Sequence, residues 1–409
     1  MLNFIWLSFF FLAFLTGLYR LLFLGEMSIF NDITQATFTL SRTAFEISLG
    51  LTGVLCFWMG IMKIGEKSGF ITLLSRALTP LLRRLMPEVP SNHPAFGSII
   101  MNLSANMLGL DNAATPFGIK AMQQLHTINP IKDTASNAQI LFLVINTSAV
   151  TLFPLTIFTY RAQMGAADPT DVFIPILIAT FASTMAGLVA VASIQRIKLY
   201  DPIIVAYLTG FTAFVMSILL YFSSLDKATM QQQSALISHI IIFSLIIVFM
   251  LGAVKKRINV YDAFIDGAKD GFQTAINIIP YLVAMLVAIG VFRASGALEI
   301  LLQGIRQLLS WGAFDDQFVD GLPTAFMKPL SGSGARAMMI ETMNSHGADS
   351  FAGRLSSIVQ GSTETTFYVL AVYFGSVGIK NTRHALSCGL FADFVGICTA
   401  IFISYLFFA

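Results

Sequence analysis

The sequence predicts an all-α polytopic membrane protein, with about nine spans plus two re-entrant hairpins arranged as inverted repeats. Three observations predict it. Apolar residues make up 56% of the chain and charged ones only 11%, too few to coat a soluble surface, where roughly 25% is usual. Several uncharged apolar runs reach the length that crosses a bilayer as a helix. Interrupted apolar segments also recur in the same order in both halves of the chain, which marks a repeat.

Each element has its own reason. Residues 2–19 form a first span; with no basic stretch ahead and no small-x-small cleavage site, it reads as a retained helix rather than a signal peptide. Residues 47–62 form the next. Residues 95–110 and 112–119 are apolar but interrupted, and 134–160 runs 27 residues without a charge yet carries polar residues in its middle. Continuous spans follow at 172–195, 202–222, 233–254 and 271–292. A second interrupted segment occupies 318–343, a second broken span 355–379, and a last span 385–408. Between spans, residues 70–84 and 298–309 combine leucines with charges at helical spacing, as helices lying in the membrane plane do.

The halves match. Gly118-Ile119-Lys120-Ala121-Met122 recurs as Gly334-Ala335-Arg336-Ala337-Met338, an offset of 216, and Thr115 pairs with Ser331 at the same offset. Asn146-Thr147-Ser148 lies opposite Gly361-Ser362-Thr363 at an offset of 215. Ser68-Gly69 and Ser295-Gly296 each precede an amphipathic helix. Unwound backbone survives at membrane depth only inside protein or beside water, and its freed groups and helix ends can hold a solute or ion. The interrupted segments therefore read as re-entrant hairpins with tips near 109–116 and 329–334, and the broken spans as unwound near 146–154 and 361–366. With hairpins counted as no crossing, 47–62 and 271–292 run oppositely. Loops on one side then hold 14 Lys and Arg against 7 on the other, which places the first side and the N-terminus in the cytoplasm. The division is an N-terminal helix (1–24), a first repeat (25–200), linking helices (201–255) and a second repeat (256–409).

Polar groups in the apolar zones mark the candidate site, because they are costly there. The first hairpin supplies Asp111, Asn112 and Thr115, and the second Ser331, Ser333 and Arg336. The first broken span supplies Asn146, Thr147 and Ser148, and the second Ser362, Thr363 and Glu364. Glu364 is the one charge in a 25-residue run. It either couples transport to an ion, with Thr366 as a second ligand, or pairs structurally with Arg336 or Lys120. Lys120 and Arg336 either meet an anionic solute or neutralise Asp111 and Glu364. Asp393 reads as a partner for a neighbouring helix, and Cys56, Cys388 and Cys398 as small packing residues rather than a disulfide or metal set.

At these motifs the chain resembles known proteins. The stretch from Asn106 to Pro116 resembles the signature of spore maturation protein A. Pro329 to Ala335, Gln360 to Tyr368 and Tyr373 to Gly378 resemble spore maturation protein B. The chain thus resembles a natural fusion, A-like over about 25–200 and B-like over about 255–409, within the nucleoside-recognition Gate family. That family is named for similarity to concentrative nucleoside transporters and to the membrane domain of ferrous-iron transporter B. The transporters' Gly-Gln-Thr-Glu stretch is similar to Gly361-Ser362-Thr363-Glu364, but here it falls in a broken span, not the first hairpin.

The expected function is movement of a small polar solute, nucleoside-like or anionic, coupled to Na+ or H+. The other reading is a non-transport component of envelope or spore-cortex assembly. A net charge of +2 offers no face for nucleic acid. No HExxH, Walker-type loop or GxSxG supports an enzyme, no clustered His, Cys or Met supports a metal site, and no cofactor is expected. The expected partners are the bilayer of a bacterial cytoplasmic membrane and the solute, with a homo-oligomer left open.

Overall fold

A computed structural model describes residues 2–108, 111–148, 151–312 and 315–409. Among them the chain is helical, and one isolated bridge joins Thr134 to Asn381. Helices α1 (Leu2–Phe23) and α2 (Ile29–Ser68) fold back on each other, and α3 (Phe70–Leu85) follows. A helical hairpin of α4 (Ala95–Met107) and α5 (Asp111–Thr127) comes next, then the interrupted pair α6 (Asn137–Thr147) and α7 (Leu155–Gln163). Three continuous helices, α8 (Phe173–Gln195), α9 (Pro202–Ser223) and α10 (Lys227–Lys255), lead to α11 (Val260–Ala294) and α12 (Ala297–Ser310). A 3-10 turn (Gln317–Gly321) and α13 (Leu322–Met327) face α14 (Gly332–His346). The second interrupted pair, α15 (Phe351–Ser362) and α16 (Thr366–Gly375), and finally α17 (Ala385–Phe408) complete the order. Seven helices (α1, α2, α8 to α11 and α17) are long and apolar enough to cross a membrane. With the composition, this makes the chain an all-α polytopic membrane protein.

The elements expected at 47–62 and 271–292 are much longer, and the difference has a physical source. α2 has 40 residues and α11 has 35, about 60 and 50 Å at 1.5 Å per residue. Asp32, Arg42 and Glu46 hide the continuation of α2 from an apolar-run reading, yet Arg42 and Glu46 pair at 2.7 Å one turn apart along it. Both helices exceed the ~30 Å hydrocarbon layer, so they cross at a steep tilt or project beyond it. They pack antiparallel: Gly267 abuts Met59 and Lys63, Gly271 abuts Leu55 and Cys56, and Gly290 abuts Leu40. A Cβ at Gly267 would lie 2.3 Å from the Met59 carbonyl oxygen, and one at Gly271 would lie 2.6 Å from that of Leu55. Two glycines one turn apart thus let the backbones touch. α1 docks on the same pair. The Trp6 indole donates to the Ala284 carbonyl at 3.0 Å, and Arg20 to that of Ser295 at 3.1 Å.

Both long helices end in a left-handed glycine, Gly69 (φ 85°) after α2 and Gly296 (φ 84°) after α11. The chain there turns into the two amphipathic helices, as the paired Ser-Gly motifs imply.

Two polar clasps join the halves. The fully buried Arg161 donates to the Ala348 carbonyl at 2.8 Å, to Asp171 at 2.8 Å and to Asp349 at 3.2 Å, while Arg354 holds Asp171 at 2.7 Å. Elsewhere Lys380 N and Asn381 N both donate to the Asp133 carbonyl at 2.9 Å, and Arg383 donates to that of Ala135 at 3.0 Å. In each clasp, the loop between a hairpin and its interrupted pair meets the loop that follows the other half's interrupted pair.

The interruptions are narrower than 109–116 and 361–366. Residues 112–116 are helical: Pro116 stands inside α5 and forfeits one backbone bond, and the helix continues through it to Thr127. Gly361 and Ser362 close α15, and Thr366 opens α16, leaving 363–365 unwound. At the second hairpin the tip is 328–331, with Ser331 capping α14 by accepting from Gly334 N. Asn146 and Thr147 belong to the last turn of α6.

Candidate functional site

The four interruptions meet. Glu364 N donates to the Thr147 carbonyl at 2.7 Å, joining one interrupted pair to the other. Leu152 N donates to the Met107 carbonyl at 2.8 Å, joining the first pair to the first hairpin, and Phe367 N donates to that of Pro329 at 3.1 Å, joining the second pair to the second hairpin. Backbone groups freed by unwinding thus satisfy one another across elements, as buried backbone must be. The buried Lys328 ammonium donates to the Gln360 carbonyl at 2.7 Å, supplying a donor to an orphan carbonyl in the last turn of α15.

Around this junction lies a cavity of about 1020 Å³. Its polar wall is Asn106, Thr115, Asn146, Ser331, Ser333, Arg336 and Glu364, and its aromatic wall is Tyr281, Phe367, Tyr368 and Tyr373. A smaller cavity of about 80 Å³ is lined by Thr151, Lys328, Gln360 and Thr363 among others. Gly332, Arg336 and Glu364 line both, so they form the wall between them. The Arg336 guanidinium lies 5.6 Å from the centre of the Tyr160 ring, within cation–π range.

An amide network fixes the polar wall. Asn106 Nδ2 donates to Asn146 Oδ1 at 2.9 Å, and the Tyr373 hydroxyl approaches the same oxygen at 3.4 Å. Asn102 Nδ2 donates to Tyr373 at 3.1 Å and to the Ala114 carbonyl at 2.8 Å. The Tyr373 ring stacks on Phe142 at 5.7 Å. Sequence reasoning passed over Asn102, Asn106, Tyr373 and Lys328 as site residues. The signal available was two amides one helical turn apart in an apolar arm, and a cation in the second hairpin.

The residues singled out from sequence divide into groups. Thr115, Asn146, Ser331, Ser333, Arg336 and Glu364 line the large cavity, and Thr363 the small one. Thr147, Ser148 and Ser362 are fully buried away from both, their hydroxyls donating to Val144, Val144 and Val359 carbonyls at 2.9, 2.8 and 2.8 Å. This is the back-bonding that hydroxyls make near helix ends. Thr366 donates to Asp393 Oδ2 at 2.7 Å, so an ion held by Glu364 and Thr366 together would have to compete with that bond. Asp393 is thereby a partner for a neighbouring helix, as expected. Lys120 is exposed on α5 and lines neither cavity. The side chains of Asp111 and Asn112 lie outside the described residues.

Chemically, amides, hydroxyls and aromatic faces beside one cation and one carboxylate suit the binding of a polar solute with a planar part. Among the described residues there is no group of three His, Cys, Asp or Glu that could hold a metal ion.

A family model described as Gate, nucleoside recognition, matches residues 48–194 and 275–380, together more than half of the chain. Spore maturation protein A of Bacillus subtilis (strain 168) is 43% identical over 159 residues, covering 39% of this chain and 81% of that protein. Spore maturation protein B of the same organism is 45% identical over 161 residues, covering 39% of this chain and 88% of that protein. No solved structure matches.

Proposed function

Because the chain belongs to the Gate family, described by nucleoside recognition, we propose that it carries a small polar, nucleoside-like solute across the membrane. The observation that carries this reading is the meeting of four interruptions through three backbone bonds between separate segments of the chain, beside a cavity of about 1020 Å³. That volume is ample for a nucleoside. The aromatic wall offers stacking faces to a base, and Asn106, Asn146, Ser331 and Ser333 offer polar partners to a base edge or a sugar. Glu364 is the coupling residue in this reading, by Na+ or H+, because it stands in the wall between the cavities.

The repeats are inverted and the hairpins re-entrant in this proposal. Support comes from the antiparallel packing of α2 and α11 and from the reciprocal clasps. The membrane is the bacterial cytoplasmic one with the N-terminus inside, supported by the 14-to-7 loop charge and by relatives from a bacterium. The names of those relatives favour a second reading, a non-transport component of spore or envelope assembly.

The deciding experiment uses purified protein in proteoliposomes. A panel of nucleosides is screened for thermal stabilisation, and any stabilising member is tested for uptake with and without Na+ and pH gradients. Uptake that disappears in Asn106→Ala/Asn146→Ala supports transport. A folded protein that no panel member stabilises and that takes none up overturns it and favours the second reading.

A further inference from the structure

We propose that a basic pocket where the ends of α3 and α8 meet holds the phosphate group of an anionic phospholipid. The pocket is separate from the central cavities and has a volume of about 410 Å³.

Its depth in the membrane follows from α3. That helix is amphipathic, with Leu74, Leu78, Leu82 and Leu85 on one face and Arg76 and Arg83, two turns apart, exposed on the other. A helix of this kind lies along the interface, so its C-terminal end, which forms one wall of the pocket, sits at the level of lipid headgroups. Tyr200, 76% exposed just past the other wall, has the amphipathic ring that membrane–water interfaces favour.

Charge selects the ligand. Arg83, Arg84, Arg196 and Lys198 line the pocket with two carboxylates, Glu88 and Asp201. Both carboxylates are engaged. Glu88 accepts from Asn137 Nδ2 at 2.7 Å. Asp201 caps α9 by accepting from Ile203 N at 2.9 Å and lies 3.5 Å from Arg84. Arg83, Arg196 and Lys198 have no hydrogen-bond or ion-pair partner among the described residues. Four helix ends meet here, the C-termini of α3 and α8 and the N-termini of α6 and α9, so the helix dipoles oppose one another and the side-chain charges decide. Arg196 stands in a left-handed backbone conformation (φ 54°) closed by Ile197 N on the Ala192 carbonyl at 3.0 Å, a position more often given to Gly or Asn. The buried Leu85 and Met86 form an apolar floor. Guanidinium groups above an apolar floor match a phosphodiester attached to acyl chains better than they match a fully hydrated anion.

A general attraction of basic loops to an anionic surface is the competing explanation, and the experiment separates the two. Full-length protein is placed in nanodiscs of phosphatidylcholine alone or with phosphatidylglycerol. The melting temperature is expected to rise by about 2–4 °C with phosphatidylglycerol. R83Q/R196Q/K198Q should melt as the wild type does in phosphatidylcholine and lose that rise. Phosphatidylglycerol affinity, counted by native mass spectrometry, should fall on the order of a hundredfold, at roughly fivefold per basic residue. R76Q/K255Q/R257Q, which removes three charges outside the pocket, should keep the rise. The proposal is overturned if the pocket variant keeps it or if the control variant loses it equally. Inorganic phosphate added to phosphatidylcholine nanodiscs should have no effect; a matching rise that the pocket variant abolishes would overturn the lipid as the source of the phosphate.

Discussion

A carboxylate at membrane depth costs several kcal/mol as a bare ion, and Glu364 stands between two cavities with Arg336 lining the same wall. Glu364→Gln tests what it is for. Under the coupling role the variant stays folded, and Na+ or pH dependence of uptake vanishes. Under the structural-pair role it is destabilised by about 3–5 kcal/mol, and Arg336→Met in that background restores stability. Asn146 poses a simpler case, since its Oδ1 receives Asn106 and faces the Tyr373 hydroxyl. Asn146→Ala should cost about 1–3 kcal/mol by stranding a donor and weaken solute-induced stabilisation. In the loop before α17, burial and the neighbouring Arg383 hold the His384 imidazole below its ordinary value. Its Nε2 lies 3.1 Å from Gln195 Nε2, a contact that only an unprotonated ring nitrogen can accept. Because the folded value is the lower one, the stability this contact adds is full above the ordinary histidine value. It is lost as pH falls through the lowered one. An NMR titration should show His384 titrating below model histidine, and Arg383→Gln should move it upward.

At the scale of elements, the α2–α11 contact rests on absent side chains. Gly267→Leu would drive a side chain into the Met59 carbonyl, and overpacking of this kind costs about 1–3 kcal/mol, more where backbone must move. A lower melting temperature for Gly267→Leu than for a substitution at exposed Gln303 would show it. The Arg161 clasp acts differently, by pairing rather than by closeness. Arg161→Met strands the Ala348 carbonyl and takes one partner from Asp349, which keeps Ala167 N at 2.8 Å, at a cost of about 1–3 kcal/mol. Asp171 retains Arg354 at 2.7 Å, so Arg354→Met added to Arg161→Met should cost more than either alone.

For the whole molecule, the antiparallel course of α2 and α11 places the helices that follow them, α3 and α12, at opposite ends of that pair, which the proposed inverted arrangement reads as opposite sides of the membrane. Ser68 and Ser295 are the natural positions for labelling, but Ser295 is fully buried. Exposed positions on the amphipathic helices serve instead. In a background without Cys56, Cys388 and Cys398, Arg76→Cys and Gln307→Cys should react with a membrane-impermeant reagent from opposite sides. Reaction of both from one side would sink the inverted arrangement and with it the charge-based orientation.

Membrane class, element order and the approximate places of the breaks were legible in the residues themselves. Apolar run length is a local property, and so is its interruption by Ser331, Asn146 or Thr363. The amphipathic helix at 70–84 was readable for the same reason, and a helix is present there as Phe70–Leu85. The length of α2 was not, because charged residues extend a helix as readily as apolar ones and only its packing on α11 and α1 employs that extension. Nor could local pattern say which polar groups face the cavity. Thr147, Ser148 and Ser362 satisfy themselves on carbonyls three or four residues back, whereas Asn106 and Asn102 find partners 40 and 271 positions away. A buried polar atom takes whichever partner lies within hydrogen-bond reach, and across these distances only the tertiary structure decides what that partner is.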